Sequence, residues 1–372
     1  MKITFVLPNA NMLGGTRVIA IYAERLQRRG HQVCVVSTPR RPLALRGKVK
    51  RLLAGAGWNA ESAPGPSYFD GMAIDHRVLD RWRAVTDQDV PDADVVIATW
   101  WETARPVAEL SASKGAKAYF VQDYGAHAGQ PLDKVAETWR LPLHKITISR
   151  WLEKLMREQI GAEENIAYVP NSVDAEQFFA PPRGKQPATT IGFVYSTRIQ
   201  KGCAAAMQAL EMARTRVPNL RIVAFGHGAP SDELPLIDGV TYLPNLAESR
   251  LRDVYAQCDA WLFTSTLEGF GLPILEAMAC RTPVIATPAG AAPELVGAGG
   301  GILVPAGDVP ALVAAMVRIA DMNDAEWQKM SAAAHHTATS YTWDDAAQRF
   351  EAELLRAHDK VSSIRTACGM AR

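Results

Sequence analysis

The stretch that decides the fold of this chain is residues 259–305, which read DAWLFTSTLEGFGLPILEAMACRTPVIATPAGAAPELVGAGGGILVP. The apolar run at residues 260–264 predicts a buried strand, because a strand covered on both faces lacks polar alternation. A helix is predicted from Pro273, since the first helical position tolerates the missing N–H of proline. A second apolar strand is predicted at residues 283–287. Strand, helix and strand in this order indicate an α/β domain built on a parallel sheet.

Two carboxylates flank the turn between the first strand and the helix. Glu268 lies just before the glycine turn, and Glu276 lies about one turn into the helix. Glycine lets a ligand approach the backbone closely, and a helix N-terminus favours anions such as phosphate. The pair therefore fits a ligand with both hydroxyls and phosphates. Either glutamate alone would more simply be a turn residue or a partner of the helix dipole.

The sequence E-G-F-G-L-P-I-L-E at residues 268–276 resembles the signature of the fourth family of nucleotide-sugar glycosyltransferases. The resemblance continues through T-P-V-I-A-T-P-A-G-A-A-P-E-L-V and G-G-I-L-V-P-A-G-D, and it covers nearly the whole chain more weakly. Members of that family are retaining enzymes of the GT-B fold, an α/β architecture of two doubly wound, Rossmann-like domains that face each other across a cleft. The resemblance implies transfer of a sugar from a nucleotide-diphosphate sugar to an acceptor hydroxyl, in cell-surface polysaccharide or glycolipid synthesis.

The resemblance also implies roles for residues of the second domain. Glu276 would hold the ribose hydroxyls, and Glu268 would contact the transferred sugar as a catalytic residue. Lys201 and Arg198 would neutralise the diphosphate as further catalytic residues, although the family usually spaces its arginine and lysine further apart. The remaining donor-binding positions are Gly226, Gly269, Phe270, Gly271 and Leu272.

A glycine turn follows the first predicted strand of the first domain. Gly14 and Gly15 precede a helix that Thr16 is predicted to cap. By themselves these two glycines predict only a turn into the helix. In the resembled family a glycine-rich loop at this place faces the donor phosphates and the acceptor, so both glycines are assigned to donor binding.

A later strand of the first domain ends in the sequence V-Q-D-Y, where the acceptor is expected. Family members often carry a histidine directly beside the aspartate, and this chain has Gln122 there. A lone histidine such as the one at position 127 is otherwise more often a packing or surface residue. The acceptor-side candidates are Asp123, which is also a catalytic candidate, Tyr124 and His127.

The composition narrows the classes of function. The chain has 372 residues, of which 48% are hydrophobic and 21% charged, so it can bury a core for two domains. Its net charge of +1 argues against nucleic acid as a partner. Five scattered cysteines favour neither zinc nor a disulfide framework. Asp92 and Asp94 imitate a D-x-D metal motif but precede a strand, so we expect turn residues, no metal, and no cofactor beyond the nucleotide-sugar co-substrate.

The chain is expected to be cytoplasmic and to reach the membrane surface at most peripherally. No apolar window is long enough for a signal peptide or a transmembrane helix. The segment between Arg40 and Leu53 carries six cations among apolar side chains. Such a segment can lie on an anionic membrane, which would suit a lipid-linked acceptor at the inner face. The alternative is that it forms the solvated face of an ordinary helix or loop.

We expect three parts along the chain. Residues 1–180 form the acceptor-side domain, and residues 188–340 form the nucleotide-sugar-binding domain. A proline-rich linker at residues 178–188 separates them. Residues 341–372 form a helix that, by the family resemblance, crosses back to the first domain.

Two other functions remain open at this stage. Gln122 and the short spacing between Arg198 and Lys201 leave room for a non-catalytic GT-B-like subunit that binds sugar nucleotides. A GT-B-like epimerase acting on the nucleotide sugar itself is the second alternative. Incubation with a nucleotide sugar and no acceptor separates them, because an epimerase changes the sugar and a binding subunit does nothing.

Overall fold

The computed structural model describes residues 1–42, 65–124, 129–161 and 166–369, with side chains as far as residue 363. The strands form two separate sheets, one of seven strands and one of six, in which all neighbouring strands are parallel. The predicted α/β class with two doubly wound domains is therefore confirmed.

The first sheet has the order β3-β2-β1-β4-β5-β6-β7. Its strands are β1 Lys2–Leu7, β2 Gln32–Ser37, β3 Asp75–Val78, β4 Val95–Ala98, β5 Ala116–Val121, β6 His144–Thr147 and β7 Ile166–Tyr168. The order reverses between β1 and β4, and such a reversal opens a crevice at the carboxyl ends of the strands, where ligands bind. The described helices of this domain are α1 Gly14–Arg28, α2 Trp101–Glu109, α3 Leu132–Trp139 and α4 Arg150–Ile160.

Helix α1 starts two residues earlier than the predicted cap. Thr16 lies inside the first turn, and its hydroxyl donates to Oδ1 of Asn11 at 3.0 Å. The same Asn11 oxygen accepts the backbone N–H of Leu13, the residue before the helix, at 2.8 Å. The prediction that Thr16 caps the helix is therefore wrong, because Asn11 organises the turn from outside it.

The second sheet has the order β10-β9-β8-β11-β12-β13 and reverses between β8 and β11. Its strands are β8 Thr190–Tyr195, β9 Arg221–Gly226, β10 Val240–Pro244, β11 Ala260–Phe263, β12 Val284–Ala286 and β13 Gly301–Leu303. Its helices are α5 Cys203–Arg214, α6 Leu251–Ala256, α7 Leu272–Ala279, α8 Ala292–Val296, α9 Val309–Asp321 and α10 Asp324–Thr339. The two strands and the helix predicted from residues 259–305 are thus β11, β12 and α7.

The last helix, α11 Trp343–Gly369, lies against the first domain. Phe350 of this helix is fully buried, and its ring stacks on Tyr22 of α1 with ring centres 4.4 Å apart. It also meets the edge of Phe120 in β5 at 5.0 Å. Aromatic pairs of this kind add about 0.5–1.5 kcal/mol beyond the area they bury. The C-terminal helix therefore ties the end of the chain to the sheet of the first domain.

The proline-rich connection between the domains is fixed to the second domain. Arg183 pairs with the fully buried carboxylate of Asp259 at 2.9 Å, and its guanidinium lies 4.4 Å from the ring centre of Trp327. Asp259 also accepts the backbone N–H of Thr190 at 2.9 Å. Removing Arg183 would leave a buried carboxylate without its counter-charge, so this connection is part of the core.

The membrane prediction concerns a segment that is mostly outside this description. Residues 43–64 lie outside the described residues, so contact of the segment between Arg40 and Leu53 with a membrane stays a prediction. Within the described part, the guanidinium of Arg41 lies 4.6 Å from the ring centre of Trp82. In that same part of the chain, none of the helices combines the length and apolar character needed to cross a bilayer.

Candidate functional site

The glycine turn after β11 brings the two domains into contact. Gly271 precedes α7 with φ of +103°, a conformation that glycine adopts without strain. A Cβ at Gly269 would collide with the backbone carbonyl of Gln122, which follows β5 in the first domain. The glycines of this turn therefore serve two purposes, since one allows the turn and the other allows close approach of the first domain.

Two first-domain side chains hold the same turn. The hydroxyl of Ser149 donates to the carbonyl oxygen of Gly269 at 2.8 Å, and the indole N–H of Trp151 donates to that oxygen at 3.2 Å. Ser149 is completely buried. These bonds fix the position of the backbone between the two glutamates. Nothing in the sequence around residues 149–151 predicted this contact.

Glu276 is almost completely buried in α7, and both of its oxygens are bonded. Tyr255 of α6 donates its hydroxyl to Oε2 at 2.8 Å, and Arg17 of α1 donates to Oε1 at 2.8 Å. Tyr255 is fully buried, and that burial together with the nearby carboxylate raises its pKa well above the ordinary value. Its hydroxyl therefore stays a proton donor to the carboxylate.

Arg17 links the two domains at this carboxylate. The Nη1 atom lies 2.9 Å from Oε1 of Glu248 as well as 2.8 Å from Glu276, and the guanidinium lies 5.5 Å from the ring centre of Phe178. Burial alone would lower the pKa of Arg17, but Glu276 and Glu248 more than offset this and raise it. Arg17 was not among the site residues predicted from the sequence. The only signal was its place in the first turn after Gly14 and Gly15.

Glu268 pairs with Lys201 across the point where the second sheet reverses. The lysine follows β8 and the glutamate follows β11, so the strand order itself brings them together. Ser265 donates its hydroxyl to the same Oε1 atom of Glu268 at 2.8 Å. About 30% of the Lys201 side chain remains exposed, so its ammonium group can also meet a ligand in the cleft.

Arg198 is not brought to this pair. It precedes the short 3₁₀ turn Ile199–Lys201, and it is exposed. Among the described residues no ion-pair partner of Arg198 is found within 4 Å. Of the two predicted cations, the structure therefore places Lys201 at the carboxylate and leaves Arg198 at the rim, in keeping with the unusual spacing between them.

The glycine turn of the first domain faces the start of α7 in the second domain. The nearest atom to a Cβ built on Gly14 is Cδ1 of Leu272, at 3.9 Å. The amide of Gln122 donates to the carbonyl of Gly15 at 3.4 Å. Phe270 is buried, so in this turn the backbone rather than its ring is available to a ligand. Four of the positions predicted to bind the donor thus lie at one end of the cleft, namely Gly14, Gly15, Phe270 and Leu272.

The acceptor-side candidates begin at the same place. Asp123 follows Gln122 and is partly exposed beside Gly269. The ring of Tyr124 lies 4.9 Å from that of Trp139 in α3, which turns it toward the first-domain interior. His127 lies outside the described residues. Gly226 ends β9, and a Cβ there would press on the carbonyl of Tyr195.

The aspartates of the apparent D-x-D motif have structural partners. Asp92 accepts from the ammonium of Lys114 at 2.8 Å, and Asp94 accepts the backbone N–H of Lys2 at 2.7 Å. Across residues 1–42, 65–124, 129–161 and 166–369 no cluster of three or more histidine, cysteine or carboxylate side chains could hold a metal ion. The described cysteines, Cys34, Cys203, Cys258 and Cys280, are free thiols in buried positions.

Comparison with known proteins supports the family resemblance. Residues 188–322 match the family model described as glycosyl transferases group 1. The D-inositol 3-phosphate glycosyltransferase of Mycobacterium marinum is 30% identical over 213 residues, which cover 52% of this chain and 45% of that protein. The MMP alpha-(1->4)-mannosyltransferase of Mycolicibacterium hassiacum is 32% identical over 42% of this chain and 40% of its own. The chain thus spans about half the length of the curated relatives it matches.

Solved structures establish the fold of the whole chain. HepE of Anabaena, in complex with UDP and glucose, superposes with a TM-score of 0.65 over 99% of this chain and 100% of its own, at 18% identity. A TarM variant of S. aureus, in complex with UDP and glycan ligands, gives 0.71 over 95% of this chain and 100% of its own, at 10% identity. The predicted GT-B fold is therefore confirmed.

Proposed function

We propose that this protein is a retaining glycosyltransferase that moves a sugar from a nucleotide-diphosphate sugar to a hydroxyl of a glycan or lipid-linked acceptor. The observation that carries the proposal is the pairing of Lys201 with Glu268 at the reversal point of the second sheet. A buried Glu276 follows eight residues later, and Gly14 of the first-domain glycine turn lies beside Leu272 at the start of the same helix. The relatives, which are a glycosyltransferase and a mannosyltransferase, support the same chemistry.

The donor would bind across the carboxyl ends of β8 and β11. Lys201 and the N-terminus of α7 offer positive charge to the diphosphate, since free backbone N–H groups at a helix start favour anions. Glu276 offers carboxylate oxygens to the ribose hydroxyls, and Glu268 offers one to the transferred sugar. The UDP in the HepE and TarM complexes fits a nucleotide-diphosphate donor.

Catalysis would depend on position and charge. Transfer breaks the bond between the anomeric carbon and the diphosphate, and negative charge then grows on the leaving phosphate. Lys201, placed before bond cleavage, stabilises that charge without reorganisation. The acceptor hydroxyl would attack from the face that the leaving group vacates, and its proton would pass to the leaving phosphate. Attack from that face retains the configuration of the anomeric carbon. Asp123, beside Gly269 on the opposite wall, would orient the acceptor.

A donor screen followed by product analysis tests the proposal. Purified protein is heated with UDP-, GDP-, ADP- and dTDP-sugars, and we expect one group to raise its melting temperature. NMR of the product formed with that donor and an acceptor should then show the anomeric configuration of the donor. Inversion would contradict the retaining mechanism. A changed sugar in the absence of acceptor would instead identify an epimerase, and binding without turnover would favour a non-catalytic subunit.

We further propose a role in cell-surface polysaccharide or glycolipid synthesis at the cytoplasmic membrane face. Its support is the basic segment between Arg40 and Leu53 on the acceptor-side domain. Co-sedimentation with anionic vesicles at low salt, lost at high salt, would support peripheral contact. Replacing Arg46, Lys48, Lys50 and Arg51 with glutamine should abolish it while donor affinity is unchanged. Equal vesicle binding by the wild type and the glutamine variant would contradict membrane contact through this segment.

A further inference from the structure

A cavity of about 350 Å³ opens in the first domain, away from the paired glutamates. Pro8 and Thr38, which directly follow β1 and β2, form its floor, and the first half of α2, after β4, forms one wall. The other walls are formed by residues 82–85 and by α3. The cavity thus occupies the carboxyl edge of the first sheet at its reversal point, where α/β domains bind ligands. Its volume is within the usual range for ligand sites, about 300–1,000 Å³.

The walls combine flat aromatic carbon with charged side chains. Trp82 and Trp101 line the cavity, and 39% of Trp82 is exposed, which is unusual for so large an apolar side chain. The threonine hydroxyls on the lining are already used, because Thr103 donates to the carbonyl of Trp100 and Thr138 to that of Val135. The polar contacts that remain for a ligand are the charged residues of the lining and the indole N–H groups of Trp82 and Trp101.

Two of the charged lining residues are committed elsewhere. Arg83 holds Asp89 through two hydrogen bonds of 2.6 and 2.7 Å, and Glu102 lies 3.6 Å from Arg41. The three that remain are Arg105, Lys134 and Glu137, all exposed and without an ion pair among the described residues. They place donors and an acceptor of hydrogen bonds around an indole face.

This chemistry matches a sugar ring. A pyranose presents a carbon-bound face that packs on an aromatic ring and a rim of hydroxyls that both donate and accept hydrogen bonds. A lipid chain would leave the three charged groups without partners, which is costly when they are covered. A carbohydrate satisfies the indole and the charges together.

The distance between the cavity and Asp123, which we placed beside the reacting sugar, indicates how long the ligand is. Asp123 follows β5, whereas the cavity lies at the ends of β2, β1 and β4, the strands next in order. Since neighbouring strands lie roughly 4.8 Å apart, the cavity and Asp123 are separated by about 5–15 Å. We propose that this cavity is a subsite for a carbohydrate chain and holds a sugar unit that precedes the reacting one. The acceptor is then an oligosaccharide longer than a single ring, which extends the proposed function.

Saccharide binding by saturation-transfer NMR tests the subsite. The probes are glucose, mannose, rhamnose and N-acetylglucosamine, each as the monosaccharide and as its α-linked di- and trisaccharide. We expect at least one trisaccharide to bind about tenfold more tightly than its monosaccharide. Trp82→Ala, and separately Arg105→Gln combined with Lys134→Gln, should each remove that tenfold advantage. Met212→Ala, an equally exposed apolar residue on α5 of the second domain, should keep it.

The outcomes separate this subsite from the proposed function. Binding of UDP, GDP, ADP and dTDP is measured on the same proteins, and the cavity variants should leave it unchanged. Loss of all nucleotide binding would overturn the transferase proposal, whereas the dependence on saccharide length would still decide the subsite. The subsite is overturned if longer saccharides bind no better than single sugars, or if both cavity variants keep the advantage. It is also overturned if Trp82→Ala loses only binding to phosphatidylglycerol vesicles, since the cavity would then hold lipid.

Discussion

Glu268 and Glu276 stand at the two ends of one nine-residue stretch, but different kinds of partner hold them. Glu276 is bonded by a fully buried tyrosine and by an arginine of the other domain. Glu268 is bonded by Ser265, three residues away, and by Lys201, whose side chain is 30% exposed. The carboxylate of Glu276 is therefore fixed by buried partners. The carboxylate of Glu268 is held by a flexible cation that a ligand can share. The comparison suggests that Glu276 anchors the donor and that Glu268 with Lys201 responds as the reaction proceeds.

Glu268→Ala should have the largest effect, and it should act on turnover. The variant leaves Lys201 without its carboxylate and removes a hydrogen-bond acceptor from the transferred sugar. Loss of one preorganised electrostatic contact typically lowers kcat on the order of 100-fold. Steady-state kinetics with the donor found in the screen should show this fall with a much smaller change in donor affinity. A variant that binds weakly but turns over at the normal rate would reverse the roles assigned to the two glutamates.

Glu276→Ala should weaken donor binding. A hydrogen bond to a charged group contributes roughly 1.5–3 kcal/mol, so nucleotide affinity measured by calorimetry should fall about 10- to 100-fold. Glu276→Gln is the matched control, because it keeps the shape and loses the charge, and it should lie between the wild type and the alanine variant. Unchanged nucleotide affinity in both variants would remove the donor site from α7.

The sequence predicted the strand, turn and helix around this pair but not what holds it. An apolar run, two glycines and Pro273 are local signals, so β11, the turn and α7 could be placed within one or two residues. Arg17 meets Glu276 across 259 positions, and Ser149 meets Gly269 across 120. Contacts of this kind depend on how the two domains pack against each other, and no local sequence pattern predicts that packing.

Arg198 stays a prediction, which rests on its residue type and on its place near Lys201 in the sequence. A cation near a diphosphate site is expected, but its reach depends on which side of a turn it occupies. The 3₁₀ turn Ile199–Lys201 carries Lys201 toward Glu268 and leaves Arg198 exposed before the turn. Asp123 could be placed from the sequence because it follows a strand end, whereas the tryptophan-lined cavity is assembled from five separate segments.

The link between Arg17 and Glu276 can be measured by a double-mutant cycle on the free energy of unfolding. Arg17→Met, Glu276→Gln and the double variant should show a coupling energy of about 1–3 kcal/mol, because either single change removes a charged partner from a largely buried group. Urea titration provides the four values. The exposed pair of Arg28 and Glu24 within α1 is the control, and its coupling should not exceed about 0.5 kcal/mol. Equal coupling in the two pairs would mean that the inter-domain bond does not distinguish Glu276.

A third glutamate, Glu353, extends the comparison, because it is buried and a histidine bonds it. Glu353 of α11 pairs with Nε2 of His144 in β6 at 3.1 Å. Burial lowers the pKa of His144 below its ordinary value of 6.5, and Glu353 offsets this only in part. The unfolded chain therefore takes up a proton at higher pH than the folded one. Stability should fall as the pH drops below about 6.5, by at most about 1.4 kcal/mol per pH unit from this group.

The pH effect can be assigned with one variant. Urea titrations at pH 7.5, 6.5 and 5.5 should show a shallower loss of stability in His144→Gln than in the wild type. His76 and His335, whose pKa values burial also lowers, remain in both proteins and cancel in the difference. Identical slopes in the two proteins would show that His144 binds its proton equally well in the folded and unfolded states. His144 would then contribute nothing to the pH dependence of stability.

The smallest expected effect is that of metal removal. In our proposal the leaving diphosphate is neutralised by Lys201 and by the N-terminus of α7, so the positive charge comes from the chain itself. Dialysis against EDTA should leave the rate unchanged, whereas Lys201→Met should lower it on the order of 100-fold, because it removes the cation at Glu268. Loss of activity with EDTA and its recovery with manganese or magnesium would contradict this assignment. Lys201 would then serve mainly to orient Glu268, and the difference between the two glutamates would reflect a metal rather than a flexible side chain.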